Sequence, residues 1–232
     1  MGEMGRAYDG SYAEYVLLPN EQIYPVDSQL SWEELAAVPE TYYTAFGSFK
    51  NMQIKEGDSI LVRAATSGVG LAFLKLVKAQ FPQNRVVGSV RSLAKKDLLQ
   101  QQGFDEIILD EKGVLQTEEK FDKILELVGP ATLKNSFDHI QSAGIICNTG
   151  QLGGKWYVEE FDPIVEIRNN SYLTSFYSGN VHQQLIDELF SYIDAYKINV
   201  SSQRIFSLEQ IPAAHSYIES QAGFGKVVVL NN

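Results

Sequence analysis

The stretch Ile60-Leu61-Val62-Arg63-Ala64-Ala65-Thr66-Ser67-Gly68-Val69-Gly70 constrains the fold of this chain more than any other. An apolar strand runs into a turn of small residues, and a helix starts inside that turn. Such a junction aims several backbone N–H groups and the positive end of a helix at one point, which suits a pyrophosphate. Small residues are needed there, because a larger side chain would hold the phosphate away. Against the pattern GxGxxG, Ala65 to Gly70 keeps only the last glycine, with Ala65 and Ser67 in the first two places. The same shape also serves as a packing joint, so the surrounding pattern has to decide.

From Ser59 onward strands and helices alternate. Strands are expected at Ile60–Val62, Arg85–Val90, Glu106–Ile108, Phe121–Leu127, Gly144–Asn148 and Tyr172–Phe176, and helices at Gly68–Phe81, Leu93–Gln101 and Thr132–Ile140. That alternation predicts an α/β fold, a doubly wound parallel Rossmann sheet. Ahead of it, Tyr12–Leu18 and Gln22–Tyr24 read as short strands. A helix follows, N-capped by Ser31 with Glu34 as capping-box partner, broken near Val38-Pro39 and resumed over Thr41–Lys50. Behind it come an amphipathic helix at His182–Tyr196, a strand at Gln203–Phe206, a helix at Leu208–Glu219 and a closing strand at Gly225–Leu230.

Composition removes several function classes. Lys+Arg 19 against Asp+Glu 29 leaves a net charge of −10, which repels nucleic acid and anionic membranes as main partners. One cysteine, Cys147, and the scattered His139, His182 and His215 predict no metal site built from this chain. No apolar run approaches the ~18 residues that span a bilayer, and the opening MGEMGRAYDG lacks the apolar core of a signal peptide. A cytoplasmic location is expected. There is no GxxxxGK[ST] of a P-loop enzyme, no YxxxK of a short-chain dehydrogenase and no GxSxG of an α/β-hydrolase.

The second informative place is the tip of the next strand, Gly88-Ser89-Val90-Arg91-Ser92, with Lys95 and Lys96 beyond. A site that prefers NAD places Asp or Glu there, about 20 residues after the turn, on the ribose hydroxyls. No carboxylate stands at this tip. Hydroxyls and a cation there suit an adenosine 2′-phosphate, so NADPH is the expected cofactor. Lys96 reads as a solvated helix start instead.

These residues together resemble the medium-chain dehydrogenase/reductases, and among them the zinc-independent quinone oxidoreductases. The likeness is carried by Asp9-Gly10-Ser11-Tyr12-Ala13-Glu14-Tyr15, by Ala36-Ala37-Val38-Pro39 with Thr44-Ala45, and by Ala64 to Gly70 against the family's AAxGGVG turn, with Ser67 where glycine is usual. Phe121-Asp122, Val128-Gly129, Gly144, Gly150, Gly153-Gly154 and the ending Gly225-Lys226-Val227-Val228-Val229 extend it over nearly the whole chain.

The resemblance implies the following. Residues 1–26 would be a remnant of a GroES-like β-barrel domain, most of which this chain does not carry. Residues 27–58 would be connecting helices, 59–180 the NADP-binding domain, and 181–232 a C-terminal helix and return to the barrel. Ala65, Thr66, Ser67, Gly68, Val69 and Gly70 would meet the pyrophosphate, and Arg91 and Lys95, with Ser89 beside them, the adenosine end. Thr44, Val128, Gly150 and Gln151 would line the nicotinamide, with Phe176 closing its pocket and Lys226 within possible reach of the phosphates. The activity would be hydride transfer from NADPH to a quinone or activated alkene, with no catalytic residue assigned. Tyr42 and Tyr43 are placed to hydrogen-bond a carbonyl, though core packing is expected of at least one. A homodimer through the strand at Tyr172–Phe176 is expected. The alternative is a non-catalytic NADPH-binding module. Cys147 is expected to be a buried thiol, His182 solvated, and Trp156 and Tyr157 loop residues.

Overall fold

The computed structural model describes residues 4–220 and 224–231. The chain divides into two compact units, Thr44–Tyr177 and Met1–Tyr43 together with Ser178–Asn232.

The strands expected at 12–18 and 22–24 do not form. These residues are irregular, and Asn20–Gln22 is a single 3-10 turn. A strand needs a neighbouring backbone for its N–H and C=O groups, and neither sheet includes these residues. Tyr15 and Leu17 are left 88% and 92% exposed. The segment is tied down instead by Tyr12 Oη, 2.8 Å from His215 Nε2, and by Asn231 Nδ2 donating to the Ala13 carbonyl.

Helix α1 (Trp32–Ala37) begins with the expected capping box: the Glu34 N–H donates to Ser31 Oγ, and the Ser31 N–H to the Glu34 carboxylate. The chain breaks at Val38-Pro39 and resumes as α2 (Thr41–Asn51). Strand and helix then alternate through β1 (Ile60–Val62), α3 (Gly68–Gln80), β2 (Val86–Val90), α4 (Lys96–Gln101), β3 (Glu106–Glu111), β4 (Val114–Leu115), β5 (Phe121–Glu126), α5 (Leu133–Asp138), β6 (Ile140–Asn148), α6 (Pro163–Glu166) and β7 (Tyr172–Ser175). The helix expected over Leu93–Gln101 opens with a 3-10 turn, Leu93–Lys95, capped by Ser92. The short hairpin strand β4 and the single turn α6 carry no hydrophobic period that a sequence reading could detect.

The sheet has seven strands in the order β4-β3-β2-β1-β5-β6-β7, all parallel except β4. Without β4 this is the Rossmann order, and the strand order reverses between β1 and β5. Register pairs Val62 with Gly88 and Leu125, Glu126 with Asn148, and Asn148 with Ser175. The carboxyl ends of these strands therefore share one edge of the sheet. Every residue of β1 and β2 is buried, which requires cover on both faces. One face packs Leu61, Val87, Ile124 and Ile146 against Leu133 and Phe137. Elsewhere in the unit, Phe49 of α2 meets Phe73 of α3 and Phe81.

The other unit contains α7 (Gln183–Ala195), β8 (Arg204–Ser207), α8 (Ile211–Glu219) and β9 (Val227–Leu230), with β8 and β9 paired in parallel. No helix among the described residues is long and apolar enough to cross a membrane.

A charged group sits inside the parallel sheet. Arg63, directly after β1, is fully buried. Its Nε and Nη2 donate to Asp110 Oδ2 at 3.1 and 2.5 Å, and Nη2 also to the Gly113 carbonyl. Nη1 donates to the Thr132 carbonyl, Asn135 Oδ1 and Ser136 Oγ. Each guanidinium nitrogen thus has an acceptor, as a buried cation requires. Glu126, also fully buried, lies 3.7 Å from Nη1. Replacing Arg63 with Ala should destabilise the chain by about 3–5 kcal/mol, because two buried carboxylates lose their cation. The half-exposed Arg85, which pairs with Glu106 and Glu119, should cost no more than about 1 kcal/mol on the same change. Urea unfolding of both variants checks the contrast.

Candidate functional site

The turn after β1 is made by backbone and closed by one side chain. Ala64 takes a left-handed φ of 62°, and the Ser67 N–H returns to its carbonyl at 3.0 Å. Ser67 caps α3, its Oγ accepting from the Gly70 N–H at 3.0 Å. The first-turn amides of α3 then face out of the helix end. The Ala65 N–H donates to the Ser89 carbonyl at 3.0 Å, fastening the turn to the tip of β2. A Cβ on Gly88 would stand 2.7 Å from that of Ala65, and one on Gly70 3.0 Å from the Ala64 carbonyl oxygen. Gly88 therefore needs glycine, and a side chain at Gly70 would require the Ala64 carbonyl to give by a few tenths of an ångström.

The loops after β5 and β6 lie backbone against backbone. The Leu152 and Gly153 N–H groups donate to the Leu127 and Val128 carbonyls, and the Thr149 and Gly150 N–H groups to the Glu126 carbonyl. A Cβ on Gly150 would stand 2.1 Å from the Leu127 oxygen, and one on Gly129 2.3 Å from the Gly150 oxygen. Val128 and Gly150 are half-buried and Gln151 is exposed.

Helix α2 reaches the end of β6 through hydroxyls. Ser48 Oγ donates to the Thr44 carbonyl and lies 2.8 Å from Thr149 Oγ1, which is 3.3 Å from Cys147 Sγ. Burial pushes the Cys147 thiol up, opposed by hydrogen bonds with Thr149, Ser48 and the Phe176 backbone. It is a core thiol. Thr44 is buried, and its Oγ1 has no hydrogen-bond partner. The Phe176 ring lies over Gly47, where a Cβ would fall 2.1 Å from it.

At the adenosine end expected from sequence, Ser89 is fully buried and its hydroxyl is unpartnered. Arg91 is exposed and Lys95 half-buried in the 3-10 turn that follows. The sheet edge thus gathers Ala65 to Gly70, Ser89, Val128, Gly150 and Gln151, with Thr44 and Phe176 beside β6 and β7. Trp156 and Tyr157 are exposed in the loop, and His182 is exposed at the start of α7.

Three other groups are occupied elsewhere. Tyr42 Oη donates to the Asn199 carbonyl, and Tyr43 Oη donates to the Asn180 carbonyl while accepting from the His182 N–H. Burial raises the pKa of both phenols. Lys226 Nζ lies 3.7 Å from the Glu40 carboxylate.

Sequence reasoning missed Arg63, Glu126, Ser136, Ser48 and Thr149. The available signal was a charge closing an apolar run, in Ile60-Leu61-Val62-Arg63 and again in Ile124-Leu125-Glu126. A charge in that place must be exposed or paired.

A dinucleotide fits these residues: an open helix end, a backbone seam without side chains, and buried unpartnered hydroxyls on Thr44 and Ser89. A zinc ion does not, since among the described residues no His, Cys, Asp or Glu side chains cluster as ligands. A cavity of about 830 Å³ in the other unit is lined by Asp27, Glu34, Asp187 and Asp194. Its one cation, Lys197, is paired with Asp194, so that cavity does not suit a phosphate.

Comparison with known proteins agrees with this architecture. The family model described as zinc-binding dehydrogenase matches residues 102–229. A probable quinone oxidoreductase of Schizosaccharomyces pombe is 24% identical over 96% of this chain and 70% of its own. The crystal structure of Bacillus subtilis protein yhfP with NAD bound superimposes with a TM-score of 0.79 at 23% identity, over 98% of this chain and 72% of that one. Mycobacterial Rv1454c complexed with NADPH gives a TM-score of 0.71 at 23% identity, over 88% and 68%. At these identities the likeness to the solved structures is one of fold. The chain spans 8% of the length of probable polyketide synthase 14 of Dictyostelium discoideum and 70% of that of the Schizosaccharomyces pombe relative.

The capping serine can be checked directly. Ser67→Ala should cost about 1 kcal/mol, whereas Ser67→Gly should cost only a few tenths. Urea unfolding of the ligand-free variants gives both numbers, and equal losses would contradict the cap.

Proposed function

The chain belongs to the zinc-binding dehydrogenase family, and from that premise we propose that it is a reductase that takes hydride from NADPH to a quinone or activated alkene. The observation that carries the reading is the junction from β1 through Ala64 to Gly70 into α3. It offers backbone amides and a helix end at the switch point of a Rossmann sheet. Residues 59–180 would form the cofactor domain.

The turn Ala65 to Gly70 would hold the pyrophosphate through the main-chain N–H groups of Thr66, Gly68 and Val69, since those of Ala65, Ser67 and Gly70 donate to Ser89, Ala64 and Ser67. The exposed Arg91 and half-buried Lys95 would bind the 2′-phosphate, and the absence of a carboxylate at the tip of β2 leaves nothing to repel it. Thr44 supplies an unsatisfied buried hydroxyl, whose burial without a partner is costly until a ligand arrives. Val128, Gly150 and Gln151 would flank the nicotinamide, and Phe176 over Gly47 would exclude water from one side. Bound NADPH supplies the hydride, and a proton from solvent completes the two-electron reduction. The protein's part is orientation.

A second reading, an NADPH-binding module without turnover, is favoured by one observation. The hydroxyls of Tyr42 and Tyr43, the phenols that the sequence offers for hydrogen-bonding a carbonyl, are held on backbone groups.

Titration followed by reduced-nicotinamide fluorescence should saturate with NADPH at least about 10-fold more tightly than with NADH, and Arg91→Ala should erase most of that difference, as loss of a charge-assisted contact does. Equal affinity for both would contradict the 2′-phosphate reading. Oxidation of NADPH on adding quinones supports the reductase, and binding without turnover supports the module.

The edge strand β7 exposes Tyr172 and Leu173, and Tyr177 just beyond it is exposed as well. Such an edge invites a second strand. A homodimer through β7 is part of this proposal. Light scattering at micromolar concentration should give a dimer mass, and a clean monomer would contradict it.

A further inference from the structure

The amides of the loop after β5 are held by the Glu126 carboxylate, while the Gly129 carbonyl accepts from Thr132 Oγ1 and from the Thr132 and Leu133 N–H groups. Glu126 is fully buried, and its Oε1 accepts from the Val128 N–H at 2.9 Å and the Gly129 N–H at 3.0 Å. Its Oε2 accepts from Ser136 Oγ of α5 at 2.5 Å and faces Arg63 Nη1 at 3.7 Å. The loop after β6 hangs from the first loop through its hydrogen bonds to the carbonyls of Glu126, Leu127 and Val128. The tight glycine contacts leave little room for the two loops to move separately. Arg63 adjoins Ala64, the residue that turns the chain toward α3.

We propose that Glu126 is a positioning residue whose buried carboxylate sets the height of both strand-end loops, 127–129 and 149–153, and so of the nicotinamide contacts made by Val128, Gly150 and Gln151. Ser136 and Arg63 hold the carboxylate in turn. The inference rests on the cofactor reading above for the identity of the ligand, and on the hydrogen bonds alone for the positioning. It separates two parts of the site. The pyrophosphate turn is fixed by its own backbone and by Ser67, whereas the nicotinamide loops depend on Glu126.

The test compares NADPH with 2′-phospho-ADP-ribose, the same molecule without nicotinamide, on wild type, Glu126→Gln and Glu126→Ala. Gln retains an oxygen for the Val128 and Gly129 amides, and Ala does not. The expected result is binding of 2′-phospho-ADP-ribose within about 2-fold of wild type in both variants, loss of about 10-fold or more in NADPH affinity in Glu126→Ala, and recovery of most of it in Glu126→Gln. A parallel loss of both ligands, or no loss of either, overturns the proposal.

Amide hydrogen exchange of the ligand-free proteins is measured alongside. Faster exchange confined to 127–129 and 149–153, with 65–70 unchanged, supports the positioning role. Uniform change or none overturns it. If Glu126→Ala does not fold, Ser136→Ala, which removes the hydrogen bonds with Glu126 and Arg63 and keeps both charges, should show the same pattern at smaller amplitude. Should wild type bind neither ligand, the cofactor reading fails, and hydrogen exchange alone decides the positioning.

Discussion

The buried cation Arg63 is the interaction on which the carboxyl edge of the parallel sheet depends. It is fully buried where β1 ends, and its acceptors come from β3, the hairpin after it, and α5. Each donor of the guanidinium is directional, so the group fixes the relative height of these elements in a way that apolar contacts alone would leave adjustable. Dehydrating such a cation costs several kcal/mol, and only a complete set of acceptors offsets it. Its second carboxylate neighbour, Glu126, carries the constraint from beneath the sheet edge to the loops above it.

The edge so organised has two kinds of wall. On one side is main chain: the turn through Ala64, the end of α3, and the seam between the loops after β5 and β6, where glycine is required by contacts as close as 2.1 Å. On the other is a row of hydroxyls, Thr44, Ser48 and Thr149, running from α2 to β6. Backbone amides and hydroxyls can satisfy a phosphate or an amide without bringing in a charge that must be neutralised when the ligand leaves. That chemistry suits a molecule held reversibly and in a fixed orientation. It also accounts for the lack of an assigned acid or base, since orientation is what such a wall supplies.

Much of the fold was legible in sequence because hydrophobic period and turn chemistry act locally. The Ser31–Glu34 capping box, the break at Val38-Pro39 and the alternation from Ile60 to Ser175 all follow from residues close together in the chain. The segment at 12–18 was misread for the opposite reason. Its β-rich composition promises a strand, but pairing is decided by a neighbour far away in sequence, and neither sheet includes it. In the site, the glycine turn was legible from its small residues. Glu126 and Arg63 were not, because a charge closing an apolar run reads as the surface end of a strand until its partners at Asp110 and Ser136 are known. The same limit hid the Ser48–Thr149 link, which joins residues distant in the chain.

We propose that a nicotinamide dinucleotide lies across the carboxyl edge of the parallel sheet. Amide NMR of the chain with and without NADPH tests it most directly, because the turn and the seam between the loops each have their own N–H groups. Shifts should concentrate at Ala65, Gly68, Val69 and Gly70, and separately at Gly129 and Gly150, with the residues around Asp27 and Asp187 unchanged. Shifts confined to that second, acidic cavity, or none at saturating NADPH, would contradict it.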